Sequence, residues 1–75
     1  MEKAPRIESR HDVLLGKPVI RGTRISVELL LRELSQGAKV EDLLAAYPQL
    51  KAEDIFAALA YSADVISKEQ LLAAS

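Results

Sequence analysis

The 75-residue chain predicts a mostly α protein, three helices behind a short N-terminal β element, assembled as a homodimer. Three observations predict it. From Val27 onward apolar residues recur at helical spacing, in stripes punctuated by Gly37 and Pro48. Before Val27 the chain consists of short β-favouring pairs broken by Gly16 and Gly22. The third helical stripe is apolar around nearly its whole circumference, which is more than one small domain can cover. These patterns divide the chain into a basic β arm or hairpin (1–25), a three-helix body (26–66) and a short C-terminal helical turn or tail (67–75).

Taken in order, Arg6-Ile7-Glu8-Ser9 alternates polar and apolar residues as a short edge strand does, and His11–Gly16 reads as a connection. Val19-Ile20 and Arg24-Ile25 flank Arg21-Gly22-Thr23, so a hairpin with Gly22 as its turn residue is expected. Strands this short must pack on helices or pair with another chain. Ser26 is a good N-cap for a helix over Val27–Gln36, which places Val27, Leu30, Leu31 and Leu34 on one face and Gly37 just past the end. Val40, Leu43, Leu44 and Tyr47 form a second stripe that Pro48 stops, and Leu50 is an apolar residue in the connection. A third helix runs from Ala52 to Ile66. The pairs Glu41-Asp42 and Glu53-Asp54 put acids into the first turns of helices two and three, where the macrodipole favours them. Ser67-Lys68-Glu69-Gln70 has the capping-box pattern, so Leu71-Leu72 is expected on a last short turn.

The third helix carries Ile55-Phe56-Ala57-Ala58-Leu59-Ala60, and its small residues would let another helix approach closely. An apolar helix in so small a domain points to a two-fold interface, with Ile55, Phe56, Ala58, Leu59, Ala60 and Ala63 as its residues. The plainer alternative is a one-sided core helix with surface alanines.

Composition narrows the function. Without cysteine, neither disulfides nor thiolate metal sites can support the fold, and with three aromatics in 49% apolar residues the core must be aliphatic. No apolar run approaches the roughly 18 residues that cross a bilayer, and no signal peptide is visible, so a soluble cytoplasmic protein is expected. The net charge of −1 conceals a division: residues 1–24 hold six basic and three acidic residues, residues 25–75 four basic and eight acidic. Polyanion contact therefore belongs to the arm, if anywhere. A lone histidine, His11 beside Asp12, is the only arrangement suggestive of catalysis, and it lacks a nucleophile or metal partner. The expectation is a protein that is not an enzyme and uses no cofactor.

The run Gly16-Lys17-Pro18-Val19-Ile20-Arg21-Gly22-Thr23-Arg24-Ile25-Ser26-Val27 resembles a widespread prokaryotic family of short proteins, first catalogued as a domain of unknown function and often described as VapB-type antitoxins. The likeness continues through Gln36-Gly37, Val40–Leu44, Tyr47-Pro48-Gln49-Leu50, Glu53-Asp54-Ile55 and Ala57–Tyr61, and so covers about residues 7–66. It implies a helix-turn-helix-like three-helix body, a homodimer and a PIN-like ribonuclease toxin that the protein would bind and neutralise. Two departures stand out. Lys39 and Lys51 stand where many relatives have Ser or Thr, which forfeits a side-chain cap of typically ~1 kcal/mol and sets a cation against the helix dipole.

In a helix-turn-helix the motif's second helix enters the major groove. Here that helix would be residues 52–66, which contain no Lys or Arg but do contain Glu53, Asp54 and Asp64. It would meet phosphate repulsion and have almost nothing with which to read bases. Operator contact, if made, falls to Arg6, Arg10, Lys17, Arg21 and Arg24, arranged as a basic ribbon in a dimer or around a phosphate at the Gly22 turn. The alternative is that Arg21 and Arg24 pair with the acidic body, for instance with Glu28 or Glu33. Two functions follow. One is an antitoxin that also regulates its own operon through the arm. The other is a dimeric adaptor with no nucleic-acid role.

Overall fold

In the computed structural model, which describes residues 6–68, a two-stranded antiparallel sheet leads into three helices. Strand β1 (Ile7–Ser9) pairs with β2 (Pro18–Ile20), with Ile7 opposite Ile20 and Ser9 opposite Pro18. Helices α1 (Val27–Ser35), α2 (Val40–Ala46) and α3 (Ala52–Ser67) follow. Val19 and Ile20 are both buried. The β element is thus packed down on the helices, as strands too short to stand alone require.

The expected reversal at Gly22 is present, but the returning chain forms a single antiparallel bridge and not a second strand. The ladder partner of β2 is β1, and beyond Ile20 only a single bridge, Val19 to Ser26, joins the returning chain. Four residues separate Ile20 from Ile25, and all four are used to reverse the chain. The Thr23 amide and hydroxyl both donate to the Ile20 carbonyl (2.9 and 2.8 Å), and the hydroxyl accepts from the Ile25 amide (2.9 Å). The Ile20 amide closes the loop on the Ile25 carbonyl at 2.9 Å. Gly22 sits at φ 78°, a conformation strained for any side-chain-bearing residue.

Each helix starts on a defined cap. The Ser26 hydroxyl accepts from the Leu29 amide at 3.0 Å. The lysines that begin α2 and α3 have no acceptor to offer, and the chain compensates with the acid three residues on. Asp42 accepts from the Lys39 amide at 2.8 Å and Asp54 from the Lys51 amide at 2.9 Å. The amides of Asp42 and Asp54 in turn bond the carbonyls of Lys39 and Lys51, each at 2.9 Å. Half of a capping box is thereby kept without its serine. Gly37, at φ 103°, donates to the Leu34 carbonyl and ends α1 as a C′ glycine. At the far end Ser67 is the last residue of α3, its hydroxyl donating to the Asp64 carbonyl at 2.8 Å. The rest of the expected C-terminal turn lies outside the described residues.

The core is aliphatic: Ile20, Ile25, Val27, Leu30, Leu43, Leu50, Ile55 and Ala58 form one buried cluster, with Tyr47 and Tyr61 packed at its margin. Full burial of each large aliphatic side chain contributes roughly 1.5–3 kcal/mol. One segment runs against this economy. Leu14, Leu15 and Gly16 form a left-handed turn, with φ of 48°, 56° and 88°, held by Gly16 to Val13 and Lys17 to Leu14 backbone bonds of 3.0 and 3.2 Å. Left-handed backbone costs about 1–2 kcal/mol for each non-glycine residue. Leu15 is nonetheless 94% exposed.

Candidate interaction surfaces

Arg6, Arg10 and Lys17 are held by carboxylates. Arg6 Nη1 lies 2.8 Å from Asp54 Oδ1, Arg10 pairs with Asp12 at 3.2 Å, and Lys17 Nζ reaches Glu28 Oε1 at 3.0 Å. Arg24 lies with Glu8 and Arg10 around a shallow depression beside the Gly22 turn. The Arg21 amide donates to the Arg6 carbonyl at 2.7 Å, which extends the register of the sheet by one bond. Arg6, Arg10 and Lys17 thus meet acids of their own chain, Arg6 and Lys17 on the helical body and Arg10 within the arm. The Gly22 amide, expected to face a phosphate, instead donates to the Glu8 carboxylate at 3.2 Å. Of the body acids, Glu28 takes Lys17 and Arg32, and Glu33 accepts from the Tyr47 hydroxyl at 3.0 Å.

These contacts set the titration behaviour. Hydrogen bonds from Lys17 and then Arg32 hold the Glu28 carboxyl below the usual glutamate range. The Arg10 hydrogen bond does the same for Asp12. Donation to Glu33 pushes the Tyr47 phenol up. His11 lies exposed on the turn beside Asp12, whose carboxylate is already engaged by Arg10.

Helix α3 presents two apolar faces, and the expected interface residues divide between them. Ile55 and Ala58 are 0% and 1% exposed, packed in the core of their own chain, and so are unavailable to a second copy. At 100° per residue, Phe56, Leu59, Ala60 and Ala63 form a flank centred about 120° around the helix from Ile55 and Ala58, and all four are exposed. The sequence pattern was apolar on both sides and could not assign them; only the packing of α1, α2 and β1 against α3 does.

A second surface was not anticipated. Between α1 and α3 lies an apolar groove of about 520 Å³, lined by Val27, Leu31, Tyr61 and Val65 together with Pro18 and Ile66. Glu28 and Arg32 line its polar rim. Leu31 and Tyr61 lie on the predicted stripes, but the stripes alone do not reveal that facing residues are missing there.

A family model described as a protein of unknown function, DUF433, matches residues 7–62. The chain belongs to the DUF433 family. The match takes in both strands, the clasp around Gly22 and most of α3, and stops before Val65 and Ile66. An uncharacterised relative, protein y4eO of Sinorhizobium fredii (strain NBRC 101917 / NGR234), is 41% identical over 56 residues, which is 75% of this chain and 25% of that protein. The crystal structure of a DUF433 member from Anabaena variabilis ATCC 29413 superposes with a TM-score of 0.78 at 40% identity, covering 84% of this chain and 62% of that one. The chain thus spans a quarter of the first relative's length and under two thirds of the second's. Among the described residues no helix is long and apolar enough to cross a membrane.

Proposed function

We propose that this DUF433 protein is a non-catalytic, protein-binding subunit: an antitoxin of the VapB type, which neutralises a PIN-like ribonuclease by docking it on the outer face of α3. The observation that carries this reading is that face. Phe56, Leu59, Ala60 and Ala63 follow i, i+3, i+4, i+7 spacing on a 16-residue helix, uncharged and exposed. This is the anchor pattern by which a helix enters an apolar groove of a partner. The likeness of residues 16–27 to VapB-type proteins supplies the partner class. Operator binding through the arm has less support, because Arg6, Arg10 and Lys17 already hold carboxylates and the Gly22 amide holds Glu8. The adaptor-like half of the earlier alternatives is thereby favoured for the arm.

Co-expression with the product of the adjacent open reading frame tests the proposal, which requires that product to be a PIN-like ribonuclease. The chain should co-purify with the ribonuclease and suppress its RNA cleavage. Phe56→Asp, placing a charge at a site 57% exposed in the free protein, should weaken binding by about 30-fold or more, the scale of an interface hot spot, without unfolding the chain. Wild-type affinity in both Phe56→Asp and Leu59→Asp would remove the α3 face from the mechanism.

A further inference from the structure

We infer that the exposed Leu15 turn and the α1–α3 groove are the two halves of one self-complementary contact, in which Leu15 of each copy enters the groove of a second copy. This assigns the homodimer to a surface other than the outer face of α3, and does not depend on the toxin reading. The first half is a knob. Leu14 and Leu15 are held in left-handed backbone, and Leu15 is 94% exposed, so the turn presents an aliphatic side chain to solvent from a conformation leucine disfavours. The core of its own chain gains nothing from that side chain. The second half is a hole. The groove's 520 Å³ is lined mainly by apolar side chains and is bounded by the Lys17–Glu28 and Arg32–Glu28 ion pairs at 3.0 and 3.1 Å. An apolar centre inside a polar rim is the anatomy of a protein interface.

Their relative position selects a second copy as the occupant. Leu15 is three residues from Pro18, which lines the groove, so knob and hole are separated by no more than about 11 Å of extended chain. A two-fold axis passing between them lays each knob over the other copy's groove and closes the assembly at two. A foreign segment in the groove would leave Leu15 uncovered, whereas a second copy buries both. Leu14 and Ile66, exposed beside the knob and the groove, extend the duplicated contact toward the roughly 800 Å² per partner that a stable interface uses.

The absence of cysteine from the chain makes the test direct. Purified Leu15→Cys and Ile66→Cys variants, mixed and oxidised, should form a heterodimer linked by a disulfide between positions 15 and 66 in preference to either like pair. Sedimentation of the 75-residue chain should show a dimer, and Leu15→Asn, which suits left-handed backbone but removes the knob, should raise its dissociation constant at least tenfold with circular dichroism unchanged. Val65→Asp, on the groove wall, should do the same. A wild-type chain that stays monomeric at about 0.1 mM, far above micromolar affinity, overturns the inference. So does a dimer that survives Leu15→Asn but dissociates on Phe56→Asp. Loss of ribonuclease binding in Phe56→Asp with the dimer intact would separate the two surfaces and support it.

Discussion

Asp54 offers the sharpest test of how the arm is attached to the body. Its carboxylate is 7% exposed, accepts from Arg6 Nη1 at 2.8 Å on one oxygen and from the Lys51 amide at 2.9 Å on the other, and so joins the residue before β1 to the start of α3. Hydrogen bonds to a charged group contribute about 1.5–3 kcal/mol, and loss of an N-terminal cap costs typically ~1 kcal/mol. The Arg6 side chain is 45% exposed, which lowers the share of the ion pair toward ~1 kcal/mol. Asp54→Ala should therefore destabilise by about 2–4 kcal/mol, out of a total near 4–11 kcal/mol for a chain of this size. Asp54→Asn keeps an acceptor for the Lys51 amide and should lose about half as much. Urea unfolding followed by circular dichroism, at one fixed protein concentration, measures each loss. A double-mutant cycle with Arg6→Ala should return a coupling of about 1 kcal/mol. Coupling indistinguishable from zero would mean that the pair is incidental, and that the arm is held by Val19 and Ile20 alone.

Two further outcomes follow from the same structure. In a Tyr61→Phe background the phenol absorbance reads Tyr47 alone, and its midpoint should lie above the ordinary 10.0, returning toward it in Glu33→Ala. Because the folded-state value is raised, this stabilisation is fully present below pH 10.0 and is lost as pH rises through the folded value. Gly37→Ala should destabilise by about 1 kcal/mol, read from the urea midpoint, because φ 103° is strained for alanine even though no atom crowds the position. No destabilisation there would mean that α1 ends in some other way.

The helices were legible because their signals are local. Ser26, Gly37 and Pro48 bound the stripes that the structure forms, and the stripe residues Val27, Leu30, Leu43 and Ile55 are the core. The strands were half legible: Val19 and Ile20 were seen as β-favouring, but their partner was not, since pairing with Ile7–Ser9 depends on a turn of two leucines in a conformation that sequence gives no reason to expect. Lysine at both cap positions read as a defect. Its remedy, an aspartate three residues on bonding the cap amide, was visible only as favourable helix-end charge. The faces of α3 were illegible for a different reason. With apolar residues at 55, 56, 58 and 59, periodicity does not say which pair faces inward, and long-range packing decides it.

The same long-range packing changes the meaning of the charge division. A basic arm ahead of an acidic body suggests a polyanion partner when the two are read as separate surfaces. In the fold they are one surface seen from both sides. Arg6 crosses to Asp54 on α3, and Lys17 crosses to Glu28 on α1. Each link fastens one end of a two-stranded element that has too few residues to be stable alone. The Glu8 carboxylate occupies the one amide at the Gly22 turn that would otherwise face an anion, and Thr23 ties off the polar groups on either side. The segment around Gly22 thus acts as a clasp, its residue types suited to chain reversal and to strand-to-helix attachment. Surfaces free to meet a partner must be sought where the fold leaves apolar groups without a structural role, at Leu15, in the α1–α3 groove and along Phe56 to Ala63.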